Sequence, residues 1–234
     1  MDVKATITRI QEETPTVKSF LFDLGGADFF FLPGQWLDIH IDTGSSVEVE
    51  GFSIVSSPLQ RGSIELAIKK LAHGRASTYL HEQAQVGDSF IIQGGFGDFY
   101  YHRDMKGPLV LIAGGIGITP LISILRYVDE AGLDVKVTLL YSARTPSEIV
   151  FYDQLQALEA RNSRIRCFLT VTRPQGEPWA GQVGRIDRLF LQEHVSSQDS
   201  LYYLCGPSPM LDDLSALLTS LGAQPSHIKA ERWW

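Results

Sequence analysis

The hydrophobic pattern of the chain changes its period near residue 107. Before this point, short segments alternate apolar and polar residues with a period of two and are separated by turns rich in Gly and Pro. After it, continuous apolar runs alternate with segments of helical period. The first pattern predicts an antiparallel sheet, and the second predicts a parallel sheet covered by helices on both faces. We therefore expect two domains: an antiparallel β-barrel over 1–105 and an α/β domain with a parallel sheet over 106–234.

The expected elements follow from these patterns. In the first half, strands are predicted at 3–8, 17–22, 36–41, 52–55, 64–68 and 89–92, with one helix at 76–84. In the second half, strands are predicted at 109–113, 135–141, 165–171 and 201–204, and helices at 119–131, 146–160 and 208–221.

Charge and cysteine content exclude several classes of protein. The chain has 20 Lys and Arg against 27 Asp and Glu, so it lacks the overall positive charge of a nucleic-acid-binding protein. The two cysteines, Cys167 and Cys205, are too few for an iron–sulfur cluster or a four-thiolate zinc site, and we expect no metal. Since no apolar stretch approaches the length that spans a bilayer, we expect no membrane span. The expected location is the cytoplasm, or an organellar matrix if a transit peptide has been removed.

Two glycine-containing turns are predicted where strands of the second half meet helices. The first contains Gly114, Gly115 and Gly117 and leads into a helix at Thr119. Free N–H groups at a helix N-terminus, approached closely because glycine has no side chain, suit a pyrophosphate. The alternative is a tight turn without a ligand, since a single glycine-rich turn is a weak motif and the spacing here is not G-x-G-x-x-G. A second turn consists of Cys205, Gly206 and Pro207, with Met210 in the following helix. It strengthens the ligand hypothesis, because the carboxyl ends of parallel strands share one edge of the sheet and both turns can then contact one ligand.

Five further segments occur in a recognisable order: Pro33-Gly34-Gln35-Trp36, Phe52-Ser53-Ile54-Val55-Ser56-Ser57-Pro58, His73-Gly74-Arg75-Ala76-Ser77-Thr78-Tyr79-Leu80, Gly94-Gly95-Phe96-Gly97-Asp98-Phe99 and Glu231-Arg232-Trp233. Together with the two turns, they resemble the motifs of the ferredoxin–NADP reductase-like flavoprotein family. The resemblance covers essentially the whole chain. It implies an oxidoreductase that passes a hydride from NADPH or NADH to bound FAD, in preference to FMN, and passes electrons on to a separate acceptor, either a redox protein or a small molecule.

The resemblance also implies roles for individual residues. Ser53 would lie near the reactive edge of the flavin, Cys205 would face the nicotinamide, and Glu231 would assist orientation or proton movement. The residues expected to bind the cofactors are Phe52, Ser53, Ile54, Lys69, Gly74, Arg75, Ala76, Ser77, Thr78, Gly114, Gly115, Gly117, Thr119, Arg144, Arg173, Cys205, Gly206, Pro207, Met210 and Trp233. Structural alternatives stay open: Ser53 as an ordinary strand residue, Cys205 as a small buried apolar residue, and the terminal Trp233-Trp234 pair as a hydrophobic plug or dimer contact.

One position departs from the family pattern. The arginine that normally precedes the flavin-strand aromatic by two residues is replaced by Glu50, and Glu48 lies on the same face. A carboxylate about 4 Å from a phosphate is repelled by about 4 kcal/mol at an effective dielectric constant of about 20. Either Arg75, Lys69 or Lys70 supplies the missing cation, or flavin binds more weakly, or flavin is an exchangeable substrate. We favour Arg75, which lies inside the segment expected to bind phosphate.

Two questions keep more than one answer: whether the hydride donor is NADPH or NADH, and which function the chain has. Arg144 and Arg173 follow two strand ends where no acidic residue is expected to hold a ribose 2′-hydroxyl, so a 2′-phosphate is acceptable there. If these arginines are solvated or stack on adenine, NADH serves equally well. The alternatives to the flavin-dependent oxidoreductase are a free-flavin reductase and a non-catalytic nicotinamide-binding regulatory module. The oligomeric state is left open.

Overall fold

The computed structural model describes residues 2–44, 46–195 and 199–232. Its first half is a six-stranded antiparallel sheet with the strand order β4-β3-β6-β1-β2-β5. The strands are β1 (Val3–Thr14), β2 (Val17–Asp23), β3 (Trp36–Asp42), β4 (Val47–Ser53), β5 (Ser63–Lys69) and β6 (Ser89–Phe96). One helix, α1 (Arg75–Glu82), lies between β5 and β6 in the chain.

The two outermost strands of this sheet approach each other. Ile54, directly after β4, forms an antiparallel bridge with Leu66 of β5, and the Val55 N–H donates to the Glu65 carbonyl at 2.9 Å. The sheet therefore curls into a barrel, whose interior is filled by alternate residues such as Phe20 and Ile39. The predicted antiparallel barrel is confirmed.

The second half is a six-stranded parallel sheet with the order β10-β9-β8-β7-β11-β12. Helices cover both faces, and a separate apolar core fills each side. The predicted α/β architecture is confirmed. The strands are β7 (Leu109–Gly114), β8 (Val137–Ala143), β9 (Ile165–Val171), β10 (Gln182–Val183), β11 (Leu201–Gly206) and β12 (Ile228–Arg232); the helices are α2 (Ile118–Glu130), α3 (Tyr152–Arg161), α4 (Arg188–His194) and α5 (Ser208–Ser220).

Several elements differ from the sequence prediction. The fourth strand begins at Val47 rather than at residue 52, because Glu48 and Glu50 face the same side as buried residues of β3 and break the expected alternation. The helix predicted at 146–160 is a 3₁₀ turn followed by α3, since Phe151 has a left-handed backbone (φ 61°) that interrupts the helix. The short elements β10, α4 and β12 were not predicted, and the charged residues of β12 hide its strand character. Among the described residues, no helix is long and apolar enough to cross a membrane.

Candidate functional site

A cleft of about 720 Å³ lies between the barrel and the parallel sheet. The barrel contributes residues 50–53, 67–69 and 71, and the sheet contributes the carboxyl ends of β7, β8, β9 and β11 with the start of α5. Of the residues predicted from the sequence, thirteen line this cleft: Phe52, Ser53, Lys69, Gly114, Gly115, Gly117, Thr119, Arg144, Arg173, Cys205, Gly206, Pro207 and Met210. The structure thus brings both glycine turns and the flavin strand to one place.

The two turns are in direct contact, which is possible because Gly114 and Gly117 have no side chains. A Cβ added to Gly117 would lie 2.3 Å from the Cys205 carbonyl oxygen, and one added to Gly114 would lie 2.6 Å from the Met210 sulfur. Gly115 has a left-handed backbone (φ 55°), and a Cβ there would meet nothing within 4 Å. The turn therefore packs tightly on one side and leaves open space on the other, next to the N-terminus of α2, where an anion is favoured.

On the barrel side, the flavin strand ends in the cleft. Phe52 is half-buried and Ser53 is buried, so they offer an apolar wall beside a hydroxyl. Ile54 is fully buried and does not line the cleft; its backbone forms the bridge to Leu66 that closes the barrel.

The predicted phosphate segment lies at the start of α1, outside the lining of the main cleft. Gly74 is its N-cap, and Ala76 and Ser77 are buried while Thr78 is partly exposed. The Ser77 hydroxyl donates to the Gly74 carbonyl at 3.1 Å and accepts from the Leu71 N–H at 3.3 Å, so it stabilises the turn itself. The first turn of α1 contains no acidic residue, and its N–H groups remain suited to a phosphate.

The structure places Arg75 against one of the two carboxylates of β4. Arg75 forms an ion pair with Glu48 (Nη1 to Oε1, 2.9 Å) and donates to the Ser46 hydroxyl at 3.2 Å. Glu50 lines the cleft, and burial, together with the charge of Glu48, raises the pKa of Glu50 above its usual value. Lys70 pairs with Glu82, whereas Lys69 lines the cleft.

The two remaining predicted catalytic residues, Cys205 and Glu231, are neighbours in register on adjacent strands β11 and β12. Burial, with a smaller effect from Glu231, raises the pKa of the Cys205 thiol, which is therefore protonated at neutral pH and unsuited to act as a nucleophile or base. Burial and the nearby Asp98 raise the pKa of Glu231 to about 7. Glu231 is not among the lining residues of the cleft, and Trp233 and Trp234 lie outside the described residues.

The far end of the cleft contains an acidic residue that the sequence analysis did not expect. Arg144 donates to both oxygens of Glu148 at 2.8 Å, and both residues line the cleft. The sequence prediction concerned residues 141–145 and 172–173, none of which is acidic. Glu148 lies just beyond them, on the 3₁₀ turn Pro146–Glu148 that follows β8. Arg185 was also missed, because it reaches the cleft from the loop before α4.

These residues fit FAD and a nicotinamide dinucleotide. Gly115 leaves an open cradle at a helix N-terminus, Phe52 and Ser53 provide a ring-sized wall with a polar edge, and the start of α1 offers N–H donors. The carboxylates that line the cleft, those of Glu50, Glu148 and Asp213, are unfavourable for a bound phosphate. Glu148 is paired with Arg144, and Arg75 balances the charge of Glu48 beside Glu50.

Comparison with known proteins gives matches to both halves. Residues 4–101 match the model of the oxidoreductase FAD-binding domain, and residues 111–216 match that of the oxidoreductase NAD-binding domain. The chain is 36% identical to oxidoreductase NAD-binding domain-containing protein 1 of Bos taurus, covering 98% of this chain and 80% of that protein. It is 31% identical to the glycine betaine monooxygenase reductase subunit of Chromohalobacter salexigens, covering 95% of this chain but 62% of that protein's length.

Among solved structures, the FAD/NAD-binding domain of nitric oxide dioxygenase from Vibrio cholerae superposes with a TM-score of 0.89 at 25% identity. The match covers 99% of this chain and 98% of the other.

Proposed function

The chain belongs to the ferredoxin–NADP reductase-like flavoprotein family, and on this basis we propose that it is the reductase of a two-component system whose acceptor is a separate redox protein. The coarser activity follows from family membership: it is an FAD-dependent NAD(P)H oxidoreductase that transfers electrons to a separate acceptor. The observation that carries the proposal is the single cleft in which the flavin strand faces both glycine turns.

The protein's own residues prepare this cleft for the reaction. The bound cofactors supply the redox chemistry, moving a hydride between nicotinamide and flavin. The N–H groups of the turn at Gly115 would hold the pyrophosphate of a dinucleotide, and Gly117 packs directly against the Cys205 carbonyl. Glu231 does not line the cleft but neighbours Cys205 on the adjacent strand, and with a pKa of about 7 it can hold or release a proton on its carboxylate at neutral pH.

One relative supports a separate protein as the acceptor. The relative from Chromohalobacter salexigens is a reductase subunit of a monooxygenase. The same division of labour in this chain is a proposal, since it spans less than two thirds of that protein.

The visible spectrum of the purified protein tests the proposal first. We expect a flavin absorbance, release of FAD on denaturation, and loss of the absorbance on anaerobic addition of NADH or NADPH. Subsequent addition of an oxidised ferredoxin or cytochrome should restore the absorbance faster than added free flavin does. A colourless protein that oxidises NAD(P)H only when flavin is added would instead identify a free-flavin reductase, an alternative favoured by the carboxylate of Glu50 in the cleft.

A further inference from the structure

One arginine of α2 is buried between the two halves of the molecule. The side chain of Arg126 is 12% exposed, and it donates to the Val55 carbonyl (3.1 Å) and to the carboxylate of Glu65, both in the barrel. It also donates to the Gln154 side chain of α3 at 2.9 Å and lies over the ring of Phe151, 5.4 Å from its centre. A single guanidinium therefore contacts the barrel and the segment that starts α3.

A second contact lies one helical turn earlier on the same helix. The Ser123 hydroxyl, which is fully buried, donates to the Ser56 carbonyl at 2.7 Å. The Ser56 hydroxyl in turn accepts from the Glu65 N–H. The segment that follows the flavin strand is thus attached to α2 at two consecutive residues, Val55 and Ser56.

These contacts join the three parts of the cleft. Val55 and Ser56 follow Phe52 and Ser53 in the chain with only Ile54 between, and α2 begins at the glycine turn that faces the flavin strand. Phe151 follows the segment with Arg144 and Glu148 at the far end of the cleft. Since the helix is rigid, the distance between the glycine turn and the flavin strand is fixed by where Ser123 and Arg126 attach.

The chemistry of the pair favours a geometric role over a stabilising one. Removing two charges from water costs so much that a buried ion pair is often no more stable than apolar residues of the same size. Here the Nε–H of Arg126 is buried without a hydrogen-bond partner among the described residues, which adds to that cost. The planar guanidinium carries several N–H donors in fixed directions, so it can orient several acceptors at once, whereas an apolar side chain cannot.

We propose that Arg126 and Ser123 are positioning residues that hold the flavin strand at a fixed distance from the dinucleotide turn, so that the nicotinamide and the flavin meet in a reactive geometry. The inference rests on the proposed function for its catalytic consequence. The mechanical part, the attachment of Val55 and Ser56 to α2, stands on the contacts alone.

The test compares Arg126→Gln and Ser123→Ala with Arg161→Gln. Arg161 is a matched control, because it links α3 to Asp129 of α2 by an ion pair that does not involve the barrel. In the flavin-loaded protein, stopped-flow absorbance gives the reduction rate at saturating NADH, and titration gives the dissociation constant. Two readouts do not need turnover: amide hydrogen exchange of residues 53–57, and the change of the flavin spectrum on adding NAD⁺.

We expect Arg126→Gln to slow reduction at least tenfold and Ser123→Ala about threefold, with flavin content unchanged and NADH affinity within about twofold. Exchange of residues 53–57 should accelerate at least tenfold, the NAD⁺ difference spectrum should weaken, and Arg161→Gln should behave as the wild type. If Arg126→Gln does not fold, the same measurements on Ser123→Ala and Arg126→Lys test the inference. The inference would be overturned if the folded variants had the reduction rates and the hydrogen-exchange rates of the wild type. If neither NADH nor NADPH reduced the flavin of the unmutated protein, the proposed function would be overturned. The exchange rates of residues 53–57 would then still test the attachment to α2.

Discussion

Glu231 offers a prediction in which the sign and the size both follow from the structure. Burial and Asp98 raise the pKa of its carboxyl from 4.5 to about 7. The folded chain therefore holds this proton more tightly than the unfolded chain does between these two pH values. The free energy of unfolding must fall as the pH rises from 4.5 to about 7, and the loss is complete above that range. Replacing Glu231 by Gln removes the titrating carboxyl group, and with it this loss of unfolding free energy.

The magnitude comes from the rise of the Glu231 pKa from 4.5 to about 7. At about 1.4 kcal/mol per unit, an unscreened group would contribute about 3 kcal/mol. Glu231 is only half-buried, and solvent screens such a group, so we expect about 1–2 kcal/mol.

Urea denaturation of the flavin-free protein at pH 4.5, 6, 7 and 8 measures this effect. Relative to the wild type, Glu231→Gln should gain about 1–2 kcal/mol at pH 8 compared with pH 4.5. Asp98→Asn should move the wild-type decline to lower pH, since it removes a charge that raises the pKa of Glu231. As a control, Asp212→Asn removes an exposed carboxylate that pairs with Arg232. A pH-independent difference between Glu231→Gln and the wild type would refute the reasoning.

Three further predictions concern the cleft. Gly117→Ala places a methyl group 2.3 Å from a backbone oxygen. It should lower the free energy of unfolding, measured with heat or urea, by about 3 kcal/mol and weaken NADH binding. As a control, Gly132→Ala, at a position with a left-handed backbone but open space, should lower it by about 1 kcal/mol and leave NADH binding unchanged. Glu148→Gln frees Arg144 from its ion pair and should raise the kcat/KM ratio of NADPH over NADH severalfold in steady-state assays; an unchanged ratio would show that Arg144 does not meet the 2′-phosphate. Arg75→Ala leaves Glu48 unpaired and should lower the flavin content of the purified protein, measured as the ratio of visible to ultraviolet absorbance; undiminished flavin would exclude Arg75 as the compensating cation.

Local patterns made most of the architecture predictable. The continuous apolar run of β7 required a sheet buried on both faces, and the structure gives β9 the predicted bounds, Ile165–Val171. The start of β4 was missed because its glutamates lie on the inner side of the strand, where Glu48 pairs with Arg75 of α1 and Glu50 lines the cleft. A pattern of alternation cannot show that a charged residue is partnered from another element.

The candidate site divides in the same way. That Cys205 lies near the end of a strand and Gly117 in the turn after another strand is visible in the sequence, since glycine and strand boundaries are local features. Three facts exist only in three dimensions: the contact between those turns, the pairing of Arg75 with Glu48, and the burial that raises the pKa of Glu231.

The sequence by itself determined the two-domain architecture and the positions of the cofactor motifs, because hydrophobic period and glycine spacing act over short stretches of chain. The tertiary structure alone decided how the halves are joined, since Arg126 is 71 residues from Val55 and 61 from Glu65. No local pattern distinguishes such an arginine from a solvated residue on a helix. Its partners are set by packing of the whole chain, and that packing also sets the width of the cleft.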